Sequence, residues 1–177
     1  MRYLIIGVVV MSFNLSSLFG GTTPDGSELK EGQLAPVFAA LDQNSRSINL
    51  SEFKNKSNVV LYFYHKDDTP GCTAQACNLR DNINTIKAMN AVILGVSADD
   101  VKSHQEFAEK YQLPFSLLAD PKKEIIQKYG VSMPLVGIAK RWTFIIGKDG
   151  SIKKIIKDVK SSTHDTQVLE ALRLLNP

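Results

Sequence analysis

Tyr62-Phe63-Tyr64-His65-Lys66-Asp67-Asp68-Thr69-Pro70-Gly71-Cys72-Thr73-Ala74-Gln75-Ala76-Cys77 closes an apolar run that begins at Val59, and it holds both cysteines of the chain. The run from Val59 to Tyr64 has strand length and is apolar throughout, the pattern of a strand buried on both faces. A helix is predicted from about Cys72 to Met89, so the strand delivers Cys72 to a helix mouth. First-turn N–H groups lack helical partners and carry partial positive charge, so they stabilise a thiolate there. Such surroundings lower a cysteine pKa from ~8.5 to below neutrality in reactive sites. Thr69, three residues earlier, is placed to hydrogen-bond the sulfur or a substrate oxygen, and Gly71 lets backbone approach a ligand.

Outward from this stretch, strands and helices alternate. Ala91–Val96, Phe115–Leu118 and Trp142–Ile146 read as further strands. Lys148-Asp149-Gly150 turns the last of them back into Ser151–Ile156 as a hairpin. Helices are expected over about Asp100–Tyr111, from an Asp120 cap with Pro121 in the first turn to a stop at Gly130, and after Ser162 with Val168, Leu172 and Leu175 on one face. A small hairpin, Val37–Ala40 with Ser47–Leu50, precedes the first of these strands. The order β-α-β-α-β-α, β-hairpin, α predicts an α/β fold, a central mixed sheet flanked by helices. It matches the thioredoxin-like architecture with an N-terminal β-hairpin addition.

Helical spacing sorts the two sulfurs. Cys72, Ala76, Leu79, Ile83 and Ile86 form a core-facing stripe, whereas Cys77 groups with Arg80, Asp81 and Asn84 on the polar side. Residues five apart in an intact helix have Cα atoms ~8.5 Å apart, and a disulfide wants at most ~7 Å. The pair can bond only if the first turns unwind. A static disulfide would close a tiny loop and contribute little entropy. Two inert core cysteines fit poorly with Cys77 on the polar side. The scattered His65, His104 and His164 give no zinc ligand set of ordinary spacing. A thioredoxin-type reductase wants Cys-x-x-Cys, and here the spacing is Cys-x4-Cys.

The 177 residues are 44% hydrophobic with a formal charge of +3, which fits one ordinary globular domain. Lysines are spread along the chain, so nucleic acid is not an expected partner. Residues 1–21 differ from the rest: one arginine, an unbroken apolar run from Leu4 to Met11, then small and polar residues, the layout of a secretory signal. An uncleaved membrane anchor is the competing reading, since Leu4 to Phe19 could barely span a bilayer. Residues 22–32 read as a flexible leader and 33–177 as the folded domain, exported to the periplasm or membrane-anchored.

Thr69-Pro70-Gly71-Cys72-Thr73, then Gln75-Ala76-Cys77 and Leu79-Arg80-Asp81, resembles the active-site segment of peroxiredoxins, more narrowly the peroxiredoxin Q or bacterioferritin comigratory protein type. The resemblance continues through Gly95-Val96-Ser97, Phe115–Asp120 and Arg141-Trp142-Thr143-Phe144-Ile145-Ile146. It implies that Cys72 is the peroxidatic cysteine, oxidised by peroxide to a sulfenic acid. Thr69, Arg141 and the N–H groups of Gly71 and Cys72 would position the peroxide and stabilise charge on its leaving oxygen. Cys77 would be the resolving cysteine of an intramolecular disulfide, which a thioredoxin-like donor reduces. The resemblance further implies peroxides as small-molecule substrates, a monomer, and no metal, haem or flavin. Two departures stand out. His65 occupies a position that is usually proline, and Gly147 one that is commonly acidic. His104 and His164 read as helix-surface residues, and Trp142 and Tyr64 as core. Against the thiol peroxidase stand a disulfide reductase or isomerase in the same fold, and a non-catalytic redox sensor.

Overall fold

The structure, a computed structural model, describes residues 28–133 and 135–175. The signal read at residues 1–21, and residues 22–27 of the leader, lie outside the described residues.

Five strands form the central sheet in the order β5-β4-β3-β6-β7. They are β3 (Asn58–Phe63), β4 (Ala91–Ser97), β5 (Ser116–Ala119), β6 (Thr143–Ile146) and β7 (Ile152–Ile156). β3, β4 and β5 run parallel, while β6 is antiparallel to β3 and β7 to β6. Every residue of β3 is buried, because alternate side chains enter two separate cores. Val60, Tyr62 and Tyr64 pack with Leu79, Ile86, Phe107, Ile145, Val168 and Leu172 on one face. Val59, Leu61 and Phe63 pack with Phe38, Leu50, Ile126, Tyr129 and Phe144 on the other. Helices α1 (Pro70–Asp81), α2 (Ile83–Ala88), α3 (Val101–Tyr111) and α5 (His164–Arg173) supply the first core, and α4 (Glu124–Lys128) the second.

The N-terminal segment protects both sheet edges, which would otherwise offer unpaired backbone groups to other chains. Gly32 N–H donates to the Ile152 carbonyl and Ile152 N–H to that of Gln33, covering β7. The antiparallel pair β1 (Ala39–Leu41) and β2 (Ser47–Asn49) lies at the other end of this segment. In its turn, the Gln43 carboxamide accepts from Leu117 N–H and donates to the Phe115 carbonyl, so one side chain pairs the free edge of β5.

Two helix expectations need correction. The helix expected over Cys72–Met89 starts earlier, at Pro70, and breaks at Asn82. There the Asn82 carboxamide donates to the Asn78 carbonyl and to Asp165 Oδ2, exchanging helical continuity for an anchor on α5. The helix expected to open at an Asp120 cap begins instead at Glu124. Lys123 N–H closes a turn onto the Asp120 carbonyl, Lys123 is left-handed (φ 61°), and the Asp120 carboxylate reaches forward to accept from Ile126 N–H. The expected stop is where the chain turns, with Gly130 at φ 66°.

Candidate active site

Strand β3 ends at Phe63, and the loop after it must hold Thr69 and the start of α1 in place. Asp67 is its anchor, 7% exposed. Tyr64 Oη donates to Asp67 Oδ1 at 2.7 Å, and Ser103 Oγ to Oδ2 at 2.7 Å. His104 Nδ1 lies 2.8 Å from the same Oδ2. Asp67 N–H donates to Asp99 Oδ2, which Ser97 also engages. The next residue, Asp68, takes positive φ and pairs with Lys110 Nζ and Tyr111 Oη, and these two hydrogen bonds hold its carboxyl below the usual range. The loop is thereby bolted to α3 and to the end of β4. His104 is therefore not a surface residue. It is fully buried.

Thr69 is the N-cap of α1 in extended conformation, and Pro70 follows at the first helical position. The first helical bond is Thr73 N–H to the Thr69 carbonyl, 2.8 Å. The N–H groups of Gly71 and Cys72, inside this first turn, have no helical acceptor. The Thr69 hydroxyl donates to the Lys66 carbonyl at 3.0 Å, which leaves its oxygen to accept from a ligand. Cys72 is 1% exposed and its thiol is free.

Arg141, just before β6, reaches across to this helix mouth. Its Nη2 donates to Cys72 Sγ at 3.4 Å, and its Nη1 to Gln75 Oε1 at 2.5 Å and to the Gly71 carbonyl at 3.4 Å. A Cβ on Gly71 would stand 3.2 Å from Nη2, so glycine there lets the guanidinium close on the sulfur. Gln75, fully buried, also contacts His164 Nδ1 at 3.2 Å, and His164 Nε2 meets Thr143 Oγ1 at 2.8 Å. His164 thus contradicts its reading as a surface residue. Burial, helped by the Arg141 charge, pushes its pKa down to about 3. His65 is half-buried, and its pKa is lowered by burial and then by Arg141. Trp142 is stacked by Lys140 and Lys157 at about 5 Å.

Of the residues singled out from sequence, Cys72 and Arg141 are in direct contact and Thr69 caps the same helix. Cys77, half-buried, lies five residues on in α1 and is not bonded to Cys72. In the sequence Gln75 stands only as part of the motif, and His164 reads as helix surface. The signal was present: His164 falls four residues before Val168 and eight before Leu172, on the apolar stripe of its own helix. His104 likewise precedes Phe107 and Ala108 at i+3 and i+4.

Comparison with known proteins agrees with this geometry. Residues 32–155 match the AhpC/TSA family. The chain is 39% identical over 150 residues to the chloroplastic peroxiredoxin Q of Oryza sativa subsp. japonica, covering 84% of this chain and 69% of that protein. Among solved structures it is similar to peroxidoxin BcpB of Mycobacterium tuberculosis, with TM-score 0.78, 31% identity and coverage of 84% and 99% of the two chains. It is also similar to a bacterioferritin comigratory protein of Xanthomonas campestris described for alkyl peroxide reduction, with TM-score 0.74, 27% identity and coverage of 79% and 92%. With a buried thiol at a helix mouth, an arginine on its sulfur and these relatives, the chain belongs to the AhpC/TSA family, as a thiol-dependent peroxidase of the peroxiredoxin Q or bacterioferritin comigratory protein type.

Proposed function

We propose that Cys72 is the peroxidatic cysteine and Cys77 the resolving cysteine of a peroxidase that reduces hydrogen peroxide and organic hydroperoxides in antioxidant defence. The observation that carries this is the 3.4 Å contact of Arg141 Nη2 with a sulfur already set in the first turn of α1. The Cys72 thiolate attacks the terminal oxygen of ROOH and breaks the O–O bond. Sulfur keeps the hydroxyl as a sulfenic acid, and the leaving alkoxide takes a proton to give ROH. Arg141 and the open N–H groups of Gly71 and Cys72 stabilise charge on the leaving oxygen, and Thr69 Oγ accepts from the hydroperoxide O–H. The Cys77 thiol then condenses with the sulfenic acid, releasing water and forming the Cys72–Cys77 disulfide. A thioredoxin-like dithiol reduces this disulfide and leaves oxidised.

Organic hydroperoxides are included because the Xanthomonas campestris relative is described for alkyl peroxide reduction. The sequence of residues 1–21 supports export, so the reductant would share that compartment. Mass spectrometry of the native N-terminus tests this, and gel filtration tests the monomer. Peroxide-dependent NADPH oxidation with thioredoxin and its reductase tests the activity. Turnover is expected in the wild type and none in Cys72→Ser. Cys77→Ser should consume one equivalent of peroxide and then stall. A wild type that neither turns over nor reacts at Cys72 in rapid mixing refutes the proposal.

A further inference from the structure

We propose that His164 is a positioning residue for the peroxide step, orienting Gln75 so that its carbonyl oxygen holds Arg141 against Cys72. The inference rests on the assignment of Cys72 and Arg141 above, and it adds a buried chain of contacts behind them: Thr143, His164, Gln75, Arg141, Cys72.

The direction of every bond in this chain follows from chemistry. Arginine has donors only. Gln75 must therefore turn its oxygen to Arg141 Nη1, which places its NH2 group toward His164 Nδ1, 3.2 Å away. That NH2 can only donate, so Nδ1 must be the bare nitrogen that accepts. A neutral imidazole carries its one proton on the other nitrogen. Nε2–H therefore donates to Thr143 Oγ1, at 2.8 Å. The ring is fully buried and stays neutral well below its ordinary range. A proton on Nδ1 would face the Gln75 NH2 group. Relieving that clash by flipping the carboxamide would turn its NH2 onto Arg141 and cost the guanidinium its grip. Gln75 thus reads its orientation from the tautomer of His164, and Arg141 reads its position from Gln75.

Two isosteric variants separate this role from plain packing. In His164→Asn, Oδ1 takes the place of Nδ1 and still accepts from Gln75, while the bond to Thr143 is given up. In His164→Gln, the terminal amide takes the place of Nε2 and keeps Thr143, while Gln75 loses its partner. kcat/KM for hydrogen peroxide at saturating reductant should fall about 10- to 100-fold in His164→Gln, the scale of a small misplacement of a catalytic group. His164→Asn should retain most of the wild-type value. Equal activity in both, or equal loss in both, overturns the proposal.

Nitrogen-15 NMR of labelled histidine supplies a second readout that does not depend on turnover. Wild type should show a neutral Nε2–H ring at His164. Gln75→Glu offers only acceptors, so the ring should switch to carry its proton on Nδ1. A wild-type ring protonated at Nδ1, or no change in Gln75→Glu, also overturns the proposal. Failure of the peroxidase assignment looks different. Cys72→Ser would then match wild type in peroxide consumption, whatever the tautomer of His164.

Discussion

Oxidation to the Cys72–Cys77 disulfide should make this protein melt at a lower temperature and lose helix, the reverse of what a cross-link ordinarily does. Both cysteines sit inside α1, five residues apart, where Cα atoms are ~8.5 Å apart, beyond the ~7 Å that a disulfide tolerates. The bond therefore requires the segment from Pro70 to Cys77 to leave the helix. Cys72 and Ala76, each 1% exposed, then leave the core, at roughly 1–2 kcal/mol for two small side chains. Three contacts also go: Arg141 with Cys72, Arg141 with Gln75, and Gln75 with His164. At ~1 kcal/mol each they bring the cost to about 4–5 kcal/mol. Against this, a loop of about six residues removes only ~2 kcal/mol of unfolded-state entropy. The cross-linked segment regains little freedom when it unwinds. The oxidised fold is then less stable by about 2–3 kcal/mol, or ~5–10 °C in a chain of this size.

The assay is calorimetry and far-ultraviolet circular dichroism on protein reduced with excess thiol and on protein oxidised with one equivalent of peroxide. Mass spectrometry confirms the single internal disulfide, and Cys77→Ser treated identically controls for oxidation without cross-linking. An oxidised form that melts at or above the reduced one, with an unchanged helix signal, would overturn this expectation. It would mean that the helix accommodates the bond.

Three further outcomes are expected. Arg141→Met should lower kcat/KM for peroxide by about 100- to 1000-fold, the scale of losing one oxyanion-stabilising donor. Stopped-flow fluorescence of Trp142, the single tryptophan and the immediate neighbour of Arg141, follows the reaction. Gly71→Ala should slow the same step while leaving the melting temperature nearly unchanged. Its Cβ meets Arg141 Nη2 at 3.2 Å, and its backbone needs no positive φ. Acid should destabilise the fold through His164, whose pKa is about 3 folded against an ordinary 6.5. The unfolded state takes up the proton first, so this contribution is complete above pH 6.5 and is lost as pH falls toward 3. At about pH 5 the loss is ~2 kcal/mol, seen in urea titrations as a slope that His164→Asn removes.

The sheet was legible in the sequence because its strands are short, apolar and bounded by turn residues. Val59–Tyr64 announces a doubly buried strand, and Lys148-Asp149-Gly150 announces the hairpin between β6 and β7. Helix boundaries were less legible where side chains compete with the backbone. Asn82 breaks α1 from α2 by bonding to Asp165, eighty-three residues away, and no local pattern reveals that partner. Residue type and resemblance single out Cys72, Thr69 and Arg141, and the fold brings these three together at the mouth of α1. His104 and His164 read as surface for a different reason. A polar residue on an apolar stripe looks like the edge of that stripe until its partners are known. For His104 the partner is Asp67, thirty-seven positions away, and for His164 it is Gln75, eighty-nine away.

Gln75 stands between the two cysteines, and this gives its bonds two consequences in the proposed cycle. Attack on peroxide needs α1 folded, with Arg141 on the sulfur. Resolution needs the same turns unwound, with Gln75 pulled away from both Arg141 and His164. The bonds that prepare the first step therefore oppose the second. Chemistry at sulfur shifts the balance between them. A thiolate and the Arg141 guanidinium attract as opposite charges, whereas a sulfenic acid is neutral and leaves only a hydrogen bond from the charged donor. The grip on the helix mouth thus weakens only after the peroxide has reacted. The lower turns stay tied to α5 and the loop before it by Asn78 with Ser162 and Asp165, and by Asn82 with Asp165. Unwinding is confined in this way to the stretch that carries the two sulfurs, and Leu79, fully buried beneath it, keeps the rest of α1 on the sheet.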